Sequence, residues 1–275
     1  NGKEFFSTEY WGYALRIGIP IVPHYLSGII LNQGDRIMID KMVGKTEVAL
    51  YGLAYSIGML VQLFISGMNS ALTPWMYSKI KKGDIRSMRK VLQLLSVVVV
   101  GIAVALMLIS PELVLIFGSP KYREAVYVIP PVAASVFFIF IYNILSMPQF
   151  YYEKTQFLMA ASMAAAGANV VLNFIFIRLF GYIAAGYTTL ACYMLYSVGH
   201  YIVSKRILVN EGIQENLMNP GFLLACSVFL IGASIICNLI FPYRILRYAI
   251  LLASAGLVFW KKELLLKTMA DIRKK

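Results

Sequence analysis

The chain has 275 residues, of which 60% are apolar and only 14% are charged, and its mean hydropathy is +0.73. Soluble domains carry about 45–50% apolar and about 25% charged residues, so this composition excludes an ordinary soluble protein and indicates an integral membrane protein. The formal net charge of +12 would be compatible with binding to nucleic acid. In membrane proteins, however, Lys and Arg collect in cytoplasmic loops, so we predict no nucleic-acid partner.

Eight apolar stretches with few charges are long enough to be membrane spans. Their runs do not alternate between apolar and polar residues, which favours helices over barrel strands. The last stretch is the shortest, and we expect Arg244 and Arg247 to extend toward the interface there. The basic tail 261–275 is typical of an amphipathic helix on the inner surface. The predicted spans are 17–39, 48–78, 91–117, 125–152, 155–177, 179–204, 219–243 and 245–260.

The distribution of basic residues predicts the orientation of the spans. Alternate connections form two sets, and the set that contains both chain ends holds 17 of the 25 Lys and Arg residues. Because basic residues concentrate on the cytoplasmic side, we expect both termini to be cytoplasmic. The basic loop 79–90 is the strongest single marker of that side, and it is also suited to acidic lipid headgroups.

The first span carries a polar break near its end. Asn32, Gln33, Asp35 and Arg36 follow closely on one another, and apolar sequence resumes behind them. Charged groups at membrane depth are costly, so they usually face a protein interior or a watery cavity. Two interpretations stay open: the charged pair finishes a helix at the outer interface, or it lines a cavity in which Arg36 holds an anionic or sugar group.

Further polar side chains lie in the other spans. Each fits either a hydrogen bond between packed helices or the wall of a pathway. Asn169 and Asn173 are four residues apart and so share one helix face. His24 suits either a buried neutral histidine or a proton-coupled switch. The candidate substrate-binding residues are Arg36, Asp35, Asn32, Gln33, His24, Gln62, Asn69, Asn169, Asn173 and Arg178.

No catalytic constellation emerges from the sequence. It offers no nucleophile with a base, no metal-ligand cluster and no paired acids in a loop, so we predict that the protein is not an enzyme. It also contains no nucleotide-binding glycine loop, and we predict no cofactor and no metal. The cysteines Cys192, Cys226 and Cys237 lie in apolar runs, where we expect them to act as small packing residues.

Four segments together resemble one known family. The stretch IPIVPHYLSGIILNQGDRIMI at 19–39 resembles the start of the second half of bacterial polysaccharide flippases, which belong to the multidrug/oligosaccharidyl-lipid/polysaccharide exporter superfamily. Three later runs are similar to the same family and fall in the expected order, so the resemblance covers roughly 13–210. These runs are ALYGLAYSIG, FGSPKYREAVYVIPP and FGYIAAGYTTL.

The resemblance implies an architecture of two six-helix lobes around a central cavity, often followed by two extra helices. Eight spans would then correspond to the second lobe, 1–210, and two additional helices with the basic tail, 211–275. It follows that an N-terminal six-helix lobe would be missing from this chain. The expected location is the bacterial cytoplasmic membrane.

The resemblance also implies a function. The chain would be part of a flippase that moves undecaprenyl-diphosphate-linked oligosaccharide to the outer leaflet by alternating access, for surface polysaccharide export. Arg36 and Arg178 would face the diphosphate or acidic sugars, and the lipid tail would stay in the bilayer, along the last two spans. Membrane lipids and polysaccharide assembly proteins are the other expected partners.

Three alternatives stay open. A cation-coupled multidrug exporter of the same superfamily would need carboxylates in the cavity, and only Asp35 is clearly within a span. A membrane-embedded polymerase or transferase would need a long outer loop with catalytic residues, and the sequence has none. A non-transporting membrane subunit would tolerate apolar replacement of the polar residues in the spans.

Overall fold

The structure, a computed structural model, describes residues 7–260, with the side chains of 255 and 257–260 left aside. The predicted tail helix 261–275 lies outside the described residues. Within them the chain forms α-helices joined by short turns, with one 3₁₀ segment, Pro120–Val128. The helices are α1 Thr8–Met42, α2 Lys45–Gly58, α3 Leu60–Lys81, α4 Ile85–Phe117, α5 Ile129–Tyr151, α6 Thr155–Phe180, α7 Ala184–Asn210, α8 Pro220–Ile240 and α9 Arg244–Trp260.

The prediction of an all-α membrane protein is confirmed. Among the described residues, six helical segments are long and apolar enough to cross a membrane: Thr8–Met42, Lys45–Lys81, Ile85–Phe117, Pro120–Tyr151, Thr155–Phe180 and Pro220–Ile240. The helices α7 and α9, which correspond to the sixth and eighth predicted spans, fall outside that set. Most helices are longer than the predicted spans, because charged side chains at helix ends can stay in water while the backbone remains helical.

The second predicted span is broken into α2 and α3. Gly58 ends α2 where it meets α5 closely, since a Cβ atom at this position would lie 2.7 Å from Cγ1 of Val132. Helix α3 starts two residues later, and the N–H of Met59 still donates to the carbonyl of Tyr55 at 2.9 Å. The break in this span coincides with a close helix contact, since a residue without a side chain lets α5 approach there.

Local sequence explains where α4 and α8 begin. Asp84 caps α4 by accepting a hydrogen bond from the Ser87 amide at 3.2 Å. Asn219 caps α8 through the Gly221 amide at 2.8 Å, and Pro220 occupies the first helical position, where its missing N–H costs nothing.

Helix α5 forms the centre of the helical bundle. Of its 23 residues 18 are buried, whereas only 5 of the 35 residues of α1 are buried. The helix packs along α7, and α1 packs along α6. Small residues such as Ala133 and Ala134 allow the neighbours of α5 to approach closely. Because α1 lies at the edge, one of its faces is left uncovered beside the polar residues of the first span.

The last two helices are attached to the outside of α4 and α5. Helix α8 contacts both, and α9 contacts α4. The Arg247 guanidinium donates to both carboxylate oxygens of Glu112 at 2.7 and 2.8 Å and to the Leu108 carbonyl at 2.6 Å. The expectation that Arg247 extends to the interface was wrong. Its side chain is 3% exposed because a carboxylate on α4 is available to neutralise it.

Candidate functional site

A polar cavity of about 750 Å³ opens on the uncovered side of α1. It lies between α1, α2, α5 and α7, all within the membrane-crossing bundle. Irregular or polar surface is tolerated at that depth only where it lines protein or water. The lining residues are His24, Tyr25, Gly28, Ile29, Leu31, Asn32, Gln33, Arg36, Tyr55, Ser56, Met59, Tyr142, Asn143, Ser146, Phe150, Tyr193 and Tyr196.

Arg36 supplies the only basic guanidinium or ammonium group among these lining residues. Its Nη1 donates to Gln33 Oε1 at 2.8 Å, and its guanidinium lies 5.2 Å from the centre of the Tyr55 ring. Its Nε is buried and has no hydrogen-bond partner in the described part of the chain. No carboxylate there forms an ion pair with it either. A guanidinium with unused donors in a cavity at membrane depth is suited to hold an anion.

Asn32 forms the polar floor beside this arginine. Its Oδ1 accepts the hydroxyls of Tyr55 at 2.9 Å and of Tyr193 at 3.3 Å. Its Nδ2 donates to the Gly28 carbonyl one turn earlier, at 2.8 Å. These bonds tie α1 to α2 and α7 and fix the side chain in one orientation.

Tyrosines and a histidine form the opposite wall. The Tyr142 ring stacks on Tyr193 with centroids 6.3 Å apart and planes 7° apart, and it lies 4.5 Å from Tyr196. The Tyr196 hydroxyl lies 3.1 Å from His24 Nδ1. His24 is half-buried, and its contact with Tyr196 joins α1 to α7. The wall presents flat aromatic faces with polar rims.

Asp35 is completely buried behind this cavity and does not line it. Its Oδ1 accepts from Asn173 Nδ2 at 2.6 Å, and its Oδ2 accepts from Thr189 Oγ1 at 2.8 Å and from the Tyr51 hydroxyl. No Lys or Arg of the described chain pairs with it. All the groups that meet this carboxyl are therefore neutral donors.

A second layer holds these donors in place. Asn173 Nδ2 also donates to Asn169 Oδ1 at 3.1 Å, one turn away on α6. The Thr188 hydroxyl donates to Asn173 Oδ1, and Asn169 Nδ2 lies 3.4 Å from Thr189 Oγ1. We call Asp35, Tyr51 and these four residues the buried polar cluster. It joins α1, α2, α6 and α7 at one point.

The structure separates the ten predicted site residues into three groups. The cavity is lined by Arg36, Asn32, Gln33 and His24, whereas Asp35, Asn169 and Asn173 belong to the buried polar cluster. The remaining three lie elsewhere. Arg178 is exposed and packs 3.9 Å from the Phe174 ring, and Gln62 and Asn69 are half-buried on α3, away from the cavity lining.

Sequence reasoning missed the aromatic half of the site. Tyr51 and Tyr55 are four residues apart, and Tyr193 and Tyr196 are three residues apart, so helical spacing would have placed each pair on one face. Tyrosine is ordinarily interpreted as an interface anchor in membrane proteins, which hides a role inside the bundle. Among the described residues, no group of three His, Cys, Asp or Glu side chains could hold a metal ion.

Comparisons with known proteins agree with this architecture. An uncharacterized membrane protein of Haemophilus influenzae is 30% identical over 167 residues, and a protein named for the Lsg locus of the same organism is 29% identical over 159 residues. The alignments cover 57% and 55% of this chain but only 40% and 38% of these relatives. The chain thus spans less than half the length of the curated relatives that it matches. No solved structure matches it.

The family model MatE matches residues 20–175, which is more than half of the chain. The matched region runs from the first cavity-lining helix through both asparagines of the buried polar cluster. This multi-pass membrane protein therefore belongs to the MatE family of membrane transporters.

Proposed function

We propose that this chain forms one half of a transporter for undecaprenyl-diphosphate-linked oligosaccharide in the bacterial cytoplasmic membrane. The transported sugar would serve surface polysaccharide export. One observation carries the proposal: Arg36, without a carboxylate partner among the described residues, faces a cavity lined by amides and tyrosines.

The diphosphate is the part of such a substrate that most needs a protein partner. It is anionic and must pass through a low-dielectric region where unpaired charge is costly. Arg36 offers planar, charge-assisted donors that match phosphate oxygens. Apart from the bond of Nη1 to Gln33, the guanidinium donates no hydrogen bond within the described chain, so its Nη2 group is free to donate to phosphate oxygens.

The sugar part suits the rest of the cavity. Asn143 and Gln33 offer amide donors and acceptors for hydroxyl groups. The faces of Tyr142 and Tyr196 are flat and electron-rich, and the C–H side of a pyranose ring can stack on such a surface. This part of the cavity, built from aromatic faces and neutral amides, favours the hydroxyl-rich sugar, whereas Arg36 is assigned to the diphosphate.

The lipid tail has a separate apolar groove. A groove of about 290 Å³ lies between α5, α7 and α8, lined by apolar residues such as Phe137, Ile141 and Leu224. Its two serines already donate to backbone carbonyls, Ser197 to Phe138 and Ser227 to Leu223. A hydrocarbon chain would therefore leave no polar group of these serines unsatisfied, which supports the expected course of the tail along the added helices.

A second lobe would complete the cavity. The α1 side is uncovered, and large apolar residues such as Val22, Leu26 and Ile29 are exposed there. Rocking of two lobes about the cavity would give alternating access. The proposal places both termini in the cytoplasm, as the basic residues indicate, with polysaccharide assembly proteins as further partners.

The buried polar cluster supplies a site for coupling to an ion gradient. A buried carboxylate with no cation is costly, so Asp35 gains most from taking up a proton or a monovalent cation. Because its donors come from α2, α6 and α7, neutralising the carboxyl would change the hydrogen bonds that join α1 to these three helices. Binding of a proton or a monovalent cation to Asp35 would thus be coupled to the position of α1, which also carries Arg36.

The proposal is tested by display of the linked sugar on cells that carry the full-length protein with Arg36→Ala. We expect display to fall about tenfold or more, because one charge-assisted contact is worth about 1.5–3 kcal/mol. Arg36→Lys should restore part of it. The matched control is Arg178→Ala, which removes an exposed arginine outside the cavity and should leave display unchanged.

Unchanged display in Arg36→Ala at unchanged protein level would contradict the proposal. The same strains distinguish multidrug export. No lining residue of the described cavity is acidic, so an organic cation would find no counter-charge there. A shift in drug susceptibility together with normal sugar display would favour the exporter instead.

A further inference from the structure

A second polar pocket, of about 370 Å³, lies near the start of α1. It is formed between that helix end and the turn that joins α5 to α6, and it shares no residue with the transport cavity. Its lining residues are Tyr13, Arg16, Ile17, Tyr152, Glu153, Lys154, Thr155, Gln156 and Phe157. We call it the turn pocket.

Two cations of the turn pocket have no ion-pair partner among the described residues. Arg16 and Lys154 are exposed, and neither forms an ion pair or a side-chain hydrogen bond with a described residue. The one carboxylate of the lining, Glu153, accepts the Tyr13 hydroxyl at 2.5 Å. Burial, together with the nearby Glu211, raises the pKa of the Tyr152 phenol, so that side chain adds no charge. The lining therefore carries two positive charges and one negative charge, and the carboxylate is held by Tyr13 instead of by either cation.

The backbone holds this arrangement in an unusual conformation. Glu153 has a φ of 57°, and no other non-glycine residue of the described chain has a positive φ. Glu153 follows the end of α5 in a Schellman motif, in which the Lys154 N–H donates to the Gln149 carbonyl at 2.8 Å and the Glu153 N–H donates to the Phe150 carbonyl at 3.1 Å. A second link, from Thr155 Oγ1 to the Ile17 carbonyl at 3.2 Å, fastens the turn to α1. The pocket is thus preformed between two fastened elements.

The turn pocket lies beneath the transport cavity on the same side of α1. Tyr13, Ile17, His24 and Gly28 follow one another at spacings of four, seven and four, which is one helix face. Ile17 of the turn pocket and His24 of the cavity are separated by about 10 Å along the helix. Tyr10, exposed to 75%, and Trp11, exposed to 51%, lie at the same helix end. Tyrosine and tryptophan are enriched where a helix passes the headgroup region.

We propose that the turn pocket binds the phosphate headgroup of an anionic membrane lipid. The inference rests on the proposed membrane orientation, which places this pocket at the inner leaflet. A lipid phosphate at the headgroup level would reach Arg16 and Lys154 together, while the acyl chains remain in the bilayer. A free phosphate ion offers the same chemistry but has no apolar part to hold it at the interface, so the lipid is the ligand that the position favours.

The test counts lipids that stay bound to the purified protein from phosphatidylglycerol nanodiscs, measured by native mass spectrometry. Each cation near an anionic surface contributes about 1 kcal/mol, so Arg16→Gln with Lys154→Gln should weaken retention of one lipid about 30-fold. The matched control is Lys81→Gln with Lys82→Gln, two exposed lysines at the same membrane side that do not line the pocket. That control should retain the lipid.

A second pair of variants separates a built site from general surface charge. Tyr13→Phe leaves the net charge unchanged but frees Glu153 to compete for Lys154, so it should weaken retention. Glu153→Gln removes the competing carboxylate and should strengthen it. Equal lipid counts in wild type and the Arg16 and Lys154 variant would overturn the proposal. An equal loss in the Lys81 and Lys82 control would overturn it as well.

Two further arms identify the source of the phosphate. Zwitterionic phosphatidylcholine should not be retained, and inorganic phosphate, titrated calorimetrically, should bind far more weakly than phosphatidylglycerol. Equal binding of inorganic phosphate would show a site for free anions and refute the lipid assignment. These measurements use no transport, so their failure leaves the proposed function standing, and loss of sugar display in Arg36→Ala does not depend on them.

Discussion

Replacement of Asp35 by asparagine or by alanine tests the buried polar cluster. Both changes remove the carboxylate from a position that is completely buried, but they treat its neighbours differently. In the wild type, Asn173 Nδ2 lies 2.6 Å from Asp35 Oδ1. Asparagine at position 35 keeps one oxygen that can still accept this hydrogen bond. Its new amide group would face the hydroxyls of Tyr51 and Thr189, which can turn and accept instead of donate. Alanine offers nothing to any of the three.

The two variants should therefore differ in their free energy of unfolding. In Asp35→Ala three buried donors lose their acceptor, at about 1–3 kcal/mol each, so we expect this variant to be less stable than Asp35→Asn by about 3 kcal/mol or more. Both variants are relieved of the cost of burying an unpaired carboxylate. In Asp35→Asn the hydrogen bonds are largely replaced, and the cost of burying an unpaired carboxylate, about several kcal/mol, disappears. We expect Asp35→Asn to lie within about 1 kcal/mol of the wild type or above it.

Thermal unfolding of the purified variants in one detergent gives the comparison, and gradient-dependent transport by the full-length protein gives the second readout. We expect both variants to lose coupling and the alanine variant to be the less stable of the two. If asparagine destabilised as much as alanine, the charge itself would be holding the helices together. The assignment of Asp35 as an ion-loading site would then be wrong.

Two further predictions concern packing and charge. Gly58→Ala should destabilise by about 1–3 kcal/mol, because its Cβ would lie 2.7 Å from Val132. Gly67→Ala meets nothing within 4 Å inside α3 and should stabilise by up to about 1 kcal/mol, because alanine has the higher helix propensity. Equal unfolding temperatures of the two variants would contradict the close approach at Gly58. Glu112→Gln should destabilise the protein by about 3 kcal/mol, because it leaves the Arg247 guanidinium, which is only 3% exposed, without its carboxylate partner. Arg247→Met leaves the Glu112 carboxylate, which is 25% exposed, and should cost about 1 kcal/mol. The reverse order in thermal unfolding would show that the carboxylate is the more deeply desolvated partner.

The sequence was informative about helices and faces. Apolar windows predicted the position of every helical segment that crosses the bundle, and the four-residue spacing of Asn169 and Asn173 predicted one shared face, which the structure confirms at the buried polar cluster. The polar break of the first span contributes Asn32, Gln33 and Arg36 to the cavity lining and Asp35 to the buried polar cluster. Each of these signals is local, because hydrophobic periodicity and charge within one helix decide it.

Partners between distant helices could not be predicted. Asp35 meets groups 138 and 154 residues away along the chain, and nothing in the spacing of α1 indicates which helix will face it. Arg36 and Asp35, adjacent in sequence, point to different environments because neighbours on a helix are about 100° apart. Arg178 looked equivalent to Arg36 but lies on an exposed apolar face, a difference that only packing decides.

The polar interior of α7 has a consequence for how the protein is made. In the described range α7 is absent from the helices that are apolar enough to cross a membrane, although it packs between α5 and α6. Insertion of a helix from the translocon depends on its own hydrophobicity. We therefore expect α7 to enter the bilayer only together with its neighbours. Substitutions on the facing sides of α5 and α6 would then act during biosynthesis and reduce the amount of protein before they affect transport.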